Sequence, residues 1–209
     1  MFCNQCEQTS KGTGCTIQGV CGKTPDVAIL QDLLLYCMKG ISILAVEARK
    51  QGKTDESLNH FAVKAIFSTL TNVNFDPSTL SELVKQAVQR REALKTRLES
   101  SREYTVFNDD AVLFSPGSTI DQMIGQGEKV GLKADISDNP DIQSLHQILT
   151  FGVKGLSAYA YHAMILGKKD DAVFDFIYKA LASTRDLSLS AERLVGLILE
   201  CGKINLRAM

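Results

Sequence analysis

The stretch TPDVAILQDLLLYCMKGISILAVEARKQG, residues 24–52, decides the fold class. Thr24 has the side chain of a helix N-cap, Pro25 suits the first helical position, and Asp26 complements the positive end of the helix dipole. Apolar residues then recur at Leu30, Leu33, Leu34, Cys37, Ile41, Leu44, Ala45 and Ala48, one face of a helix. Gly52 closes the pattern. Working outward, a second helix is predicted from about His60 to Leu70. A third opens at Asp76-Pro77 and carries Leu80, Leu83, Val84, Ala87, Val88, Leu94 and Leu98 on its apolar face. Asn139-Pro140-Asp141 repeats the cap-plus-proline start, and helices resume to the end. No segment alternates with period two for long enough to make a strand.

The later helices copy the earlier ones. Lys39-Gly40-Ile41-Ser42 reappears 115 residues on as Lys154-Gly155-Leu156-Ser157. At the same offset Ala45 and Ala48 match Ala160 and Ala163, and Gly52-Lys53 matches Gly167-Lys168. Phe61, Lys64 and Ala65 match Phe176, Lys179 and Ala180, and Ser68-Thr69 matches Ser183-Thr184. Chance alignment of apolar helices would pair leucines, but not Lys-Gly, Gly-Lys and Ser-Thr as well. The expected fold is therefore all-α: two related three-helix bundles, preceded by an N-terminal cysteine-rich loop. The predicted segments are 1–27 for the loop, 28–100 for the first bundle, 101–139 for a connecting region and 140–209 for the second bundle. Asn108-Asp109-Asp110, Ser115-Pro116-Gly117, Gly125, Gly127 and Gly131 read as loop signals in the connecting region, with short turns at Asp121–Met123 and Glu128–Val130. Gly40 and Gly155 lie mid-helix, where glycine costs about 1 kcal/mol relative to alanine. A close helix–helix approach at both is the expected reason.

The loop holds four of the six cysteines, Cys3, Cys6, Cys15 and Cys21, with Gly12, Gly14, Gly19 and Gly22 between them. Glycine lets a backbone wrap tightly around a centre and point amides inward. Three chemistries fit this pattern. A zinc site of four cysteines normally uses two closely spaced pairs, and only Cys3 and Cys6 have that spacing. An iron–sulfur cluster is wider than one ion and tolerates the irregular gaps to Cys15 and Cys21. Disulfides or unliganded thiols are the third. Amides of Gly14, Gly19 and Gly22 are candidates to hydrogen-bond cluster sulfurs. Lys11 and Lys23 read as solvated lysines, with added positive charge near the site as the alternative.

Cys37 falls on an apolar helix face and Cys201 near a helix end, so both read as packing residues. His60, His146 and His162 show no metal-binding spacing. Gln89-Arg90-Arg91-Glu92, with Lys95 and Arg97, mixes signs and reads as a solvated helix face. No phosphate loop, nucleotide fingerprint or nucleophile elbow occurs. The net charge of −1 leaves no electrostatic footprint of nucleic acid. No apolar run is read as long enough to span a bilayer. The chain enters the cysteine cluster at once, with no charged and apolar leader before it, so the expected setting is the reducing cytoplasm, where clustered cysteines favour metals over disulfides.

Several motifs together resemble one family. They are Met1-Phe2-Cys3-Asn4-Gln5-Cys6-Glu7-Gln8-Thr9, Gly14-Cys15, Gly19-Val20-Cys21-Gly22-Lys23-Thr24, Leu30-Gln31-Asp32-Leu33-Leu34, Phe67-Ser68-Thr69-Leu70-Thr71-Asn72-Val73-Asn74 and Gly152-Val153-Lys154-Gly155. The chain resembles, over its whole length, the N-terminal part of hydroxylamine reductase, the hybrid-cluster or prismane family. That resemblance implies an all-helical first domain whose loop cysteines, here Cys3, Cys6, Cys15 and Cys21, carry an electron-relaying cluster. The short cysteine spacing implies a 4Fe–4S rather than a 2Fe–2S cluster. It further implies a redox donor protein as partner, and a full-length protein reducing hydroxylamine to ammonia and water, or nitric oxide to nitrous oxide. In the family, two α/β domains follow and bind the catalytic hybrid 4Fe–2S–2O cluster. The sequence ends at Arg207-Ala208-Met209, where those domains would begin, so a fragment, a separate domain or one piece of a split protein is expected. Such a chain would lack catalytic activity alone. The competing expectation is a non-catalytic interaction module with a structural metal.

Overall fold

The computed structural model describes residues 1–100, 106–130 and 139–209. Among them are eight α-helices and no strand: α1 (Pro25–Lys50), α2 (Glu56–Ser68), α3 (Pro77–Glu99), α4 (Asp110–Leu113), α5 (Ile120–Val130), α6 (Pro140–Ile165), α7 (Asp171–Ser183) and α8 (Ala191–Ala208). The all-α expectation holds. The starts are capped as the sequence indicates: Thr24 accepts from the Val27 N–H, Asp76 from Ser78 and Thr79, and Asn139 from Asp141 and Ile142. α2 starts earlier than expected, because Asp55 caps it by accepting from the Leu58 N–H.

The repeat is structural. α6 begins and ends 115 residues after α1, and α7 does the same relative to α2. Gly52 and Gly167 both turn through the left-handed region, at φ 69° and 72°. In each case the next residue's N–H reaches back to the helix, Lys53 to the Ala48 carbonyl and Lys168 to that of Ala163, each at 2.9 Å. The packing interleaves the two halves. α1 lies most extensively against α3 and α7, and α6 against α8 and α2. The middle helix of each repeat thus crosses to the long helix of the other, and one continuous hydrophobic cluster runs through both halves.

α1 is the central helix, buried on nearly every side from Val27 to Ala48. By length and composition it is apolar enough to cross a bilayer, contrary to the sequence expectation. Its apolar window is 83% buried against the other helices, which accounts for that composition as core packing.

The connecting region is more ordered than its glycines suggest. Residues 120–130 form one continuous helix, α5, in place of two separate turns. A Cβ on Gly127 would fall 2.6 Å from Ile29 Cγ2, so this glycine permits close packing of α5 on α1. Gly131 lies outside the described residues. Gly40 meets the expectation of close approach, since a Cβ there would fall 2.2 Å from the Ala111 carbonyl oxygen of α4. Gly155 does not: nothing lies within 4 Å of its Cβ position. Arg91, assigned from sequence to a solvated face, is 1% exposed. Its guanidinium donates to the carbonyls of Ala111 at 2.9 Å and Phe114 at 2.5 Å, holding α4 against α1 and α3.

Candidate metal centre

The loop before α1 is built on a short backbone pairing. The Phe2 N–H donates to the Cys15 carbonyl at 2.7 Å and the Cys15 N–H to the Cys3 carbonyl at 3.0 Å. This closes the intervening chain into a ring with a single 3₁₀ turn at Glu7–Thr9. Thr9 fixes that turn by donating from its hydroxyl to the Cys6 carbonyl at 2.7 Å. Glycine is required where strands of the ring touch. A Cβ on Gly14 would lie 2.2 Å from the Cys3 carbonyl oxygen, and one on Gly19 2.7 Å from that of Lys23. Gly22 sits at φ 92°.

Cys3, Cys6, Cys15 and Cys21 line one small enclosed cavity, together with Lys23 and with Thr71 from the turn after α2. None of the six cysteines is paired in a disulfide; Cys21 is exposed and the other three loop cysteines are partly buried. Among the described residues, no three His, Cys, Asp or Glu side chains converge tightly enough to hold a single metal ion. Four soft thiol donors line one shared space, and donor sets of this kind hold zinc or an iron–sulfur cluster. Cys37 and Cys201 are buried in helix packing away from this cavity, and burial pushes their thiols up to about 12 and about 11. Cys201 Sγ lies 3.0 Å from the Cβ position of Gly152, tying α8 to α6.

The glycine amides proposed for sulfur bonding are already engaged. The Gly14 N–H donates to Met1 Sδ, that of Gly19 to the Lys23 carbonyl and that of Gly22 to the Gly19 carbonyl. These glycines shape the loop instead. Lys11 is exposed as expected, but Lys23 is 1% exposed and its Nζ donates to Gln31 Oε1 at 2.7 Å. Gln31 in turn donates to the Asn74 carbonyl at 2.8 Å.

The second half of the chain supplies the rest of the floor. Asn4 donates to Gln147 Oε1 at 2.7 Å. Lys154, from the middle of α6, is wholly buried and its Nζ donates to Gln5 Oε1 at 2.8 Å and to the Thr69 carbonyl at 3.2 Å. Burial pushes the Lys154 ammonium down to about 7; Asp32 and Cys3 oppose that shift and Lys23 reinforces it. No metal-ligand spacing marked Gln147 or Lys154. The available signal was a lysine recurring, at 39 and 154, inside otherwise apolar helix.

The family model for Prismane/CO dehydrogenase matches residues 1–209. The chain belongs to the Prismane/CO dehydrogenase family. Among its relatives are proteins named hydroxylamine reductase. One from Methanocella arvoryzae is 52% identical over 210 aligned residues, and one from Syntrophobacter fumaroxidans 51% identical over 209. A third, from Geobacter sulfurreducens, is 43% identical over 215. Each alignment takes in 100% of this chain and 39% of the relative. This prismane-family chain therefore spans about two fifths of the length of the relatives it matches.

Proposed function

We propose that the chain is the electron-relay domain of a hydroxylamine reductase, with a 4Fe–4S cluster held by Cys3, Cys6, Cys15 and Cys21. The observation that carries the reading is the single cavity lined by all four loop cysteines. Membership of the prismane family supports iron–sulfur chemistry in general, and the short spacing of the cysteines supports the cubane form. When bound, such a cluster supplies a one-electron relay. The chain's own residues shape the thiol ring through Gly14 and Gly19, and seat it on α1 and α6 through Lys23, Asn4 and Lys154. Cys21 is exposed, and Ile17 and Val20 beside it are 84% and 74% exposed, which gives a redox donor protein an apolar approach. Cytoplasmic placement, and α/β partner domains binding the hybrid cluster, belong to the same proposal.

Anaerobic treatment with iron and sulfide should load about four irons per chain. Cys15→Ala should lose them while far-UV circular dichroism stays helical. Tight uptake of one zinc with no iron would replace the relay by a structural staple. The loaded chain should form no ammonia from hydroxylamine and reduced methyl viologen above a free iron-and-sulfide control. Four thiolate-held irons leave no open position for a nitrogen oxide, and Cys37 and Cys201 are packed into helices. Turnover lost on Cys6→Ala would refute this division of labour.

A further inference from the structure

Lys154 and Lys23 are buried cations with only neutral acceptors. Lys154 is 0% exposed and bonds one amide oxygen and one backbone carbonyl. Lys23 is 1% exposed and bonds one amide oxygen. Asp32 on α1 lies within Coulombic range of Lys154, and the hydrogen bonds of both ammonium groups go to uncharged oxygens. An ammonium removed from water costs several kcal/mol unless an anion compensates it. Here two such groups lie behind one loop. The Lys23 stem lines the cysteine cavity itself. Lys154 grips Gln5, the residue just before Cys6, and lies within Coulombic range of Cys3. An ordinary structural lysine would turn its head to solvent along an apolar stem. α6 offers no such exit to Lys154, and the anionic groups within Coulombic range of it are Asp32 on α1 and Cys3 on the loop.

We propose that Lys154, with Lys23 beside it, is the built-in counter-cation of the cysteine-loop cluster, a positioning residue that holds the cluster's reduction potential up. The inference rests on the cluster reading above. Four thiolates make such a cluster net negative, and reduction adds one further electron to it. A fixed positive charge behind the loop stabilises the reduced form more than the oxidised form, and low local dielectric strengthens the effect. Lys11 is on the same loop but exposed, so water screens its charge.

The test is an anaerobic redox titration of the iron-loaded chain, followed by electron paramagnetic resonance at fixed pH. Lys154→Met keeps the length of the apolar stem and removes the charged head. It should retain full iron and lower the equilibrium constant for one-electron reduction at least tenfold, a negative shift of about 59 mV. Lys11→Met should shift the potential far less. Lys23→Met should shift it in the same direction as Lys154→Met. A purely structural role would weaken iron retention or thermal stability and leave the potential where it was. An unchanged potential in a fully loaded Lys154→Met chain therefore overturns the proposal. If Lys154→Met does not fold, Lys23→Met decides, and an unchanged potential there overturns it equally. If the parent chain takes up no iron, the cluster reading has failed, an outcome separate from either result.

Discussion

Gly40 and Gly155 occupy matching places in the repeat, and replacing each by alanine separates a packing effect from a helix effect. Both lie inside 26-residue helices, so alanine brings each the same propensity gain of about 1 kcal/mol. At Gly155 the new Cβ meets nothing within 4 Å, so that gain should appear undiminished. At Gly40 the Cβ would lie 2.2 Å from the Ala111 oxygen and 2.7 Å from its carbonyl carbon. α4 would have to withdraw by about 1 Å, against the Arg91 guanidinium that holds the same oxygen at 2.9 Å. Overpacking of this kind costs about 1–3 kcal/mol. The two variants should therefore differ by about 1–3 kcal/mol, with Gly155→Ala the more stable than the parent. Urea denaturation followed by far-UV circular dichroism, at matched metal content, measures the difference through the midpoint at unchanged slope. Equal midpoints for the two variants would show that the α1–α4 contact does not set the constraint at Gly40, and a destabilised Gly155→Ala would show that the open space at its Cβ position does not leave the propensity gain intact.

Arg91→Met should destabilise the fold by about 2–5 kcal/mol, because it leaves the buried Ala111 carbonyl and the partly buried Phe114 carbonyl without their donor; thermal denaturation reads this, and a loss under about 0.5 kcal/mol would mean that α4 is held by apolar contacts alone. In the metal-free native chain at pH 8, iodoacetamide should label Cys3, Cys6, Cys15 and Cys21 and spare Cys37 and Cys201, whose thiols are buried and shifted up. Mass spectrometry of the peptides checks this, and labelling of Cys37 at the rate of Cys21 would contradict its burial on α1.

The fold was legible where local chemistry and repetition agree. Thr24-Pro25, Asp76-Pro77 and Asn139-Pro140 each state a helix start in two residues, and the structure uses all three as caps. The matched residues from Lys39 to Thr69 and from Lys154 to Thr184 carry the repeat of the first two helices of each half, α1–α2 and α6–α7. What the sequence did not show is which helices pair. Periodicity identifies a buried face but not the neighbour that buries it, so the crossing of α2 to α6 and of α7 to α1 appears only in three dimensions. Glycine misled in α5 for a related reason. The same residue that punctuates a loop also permits one helix to lie against another, and only the Ile29 side chain facing Gly127 distinguishes the two.

The cysteine loop shows the same division between near and far. Its four thiols are adjacent in sequence, and their gathering around one cavity follows from a ring closed by Phe2, Cys3 and Cys15. Its floor is remote. Gln147 is 143 residues from the Asn4 it accepts from, and Lys154 is 149 residues from Gln5. A lysine among leucines invites the reading that its ammonium escapes to solvent, which is the usual outcome at a helix surface. That reading fails at Lys154 because α2, crossing from the other half, covers the exit and presents the Thr69 carbonyl in its place. The interleaved packing is thus what turns a repeated lysine into part of the site. A loop carried by its own half alone would rest on α1 and the α2–α3 turn, with no buried charge from α6 beneath it.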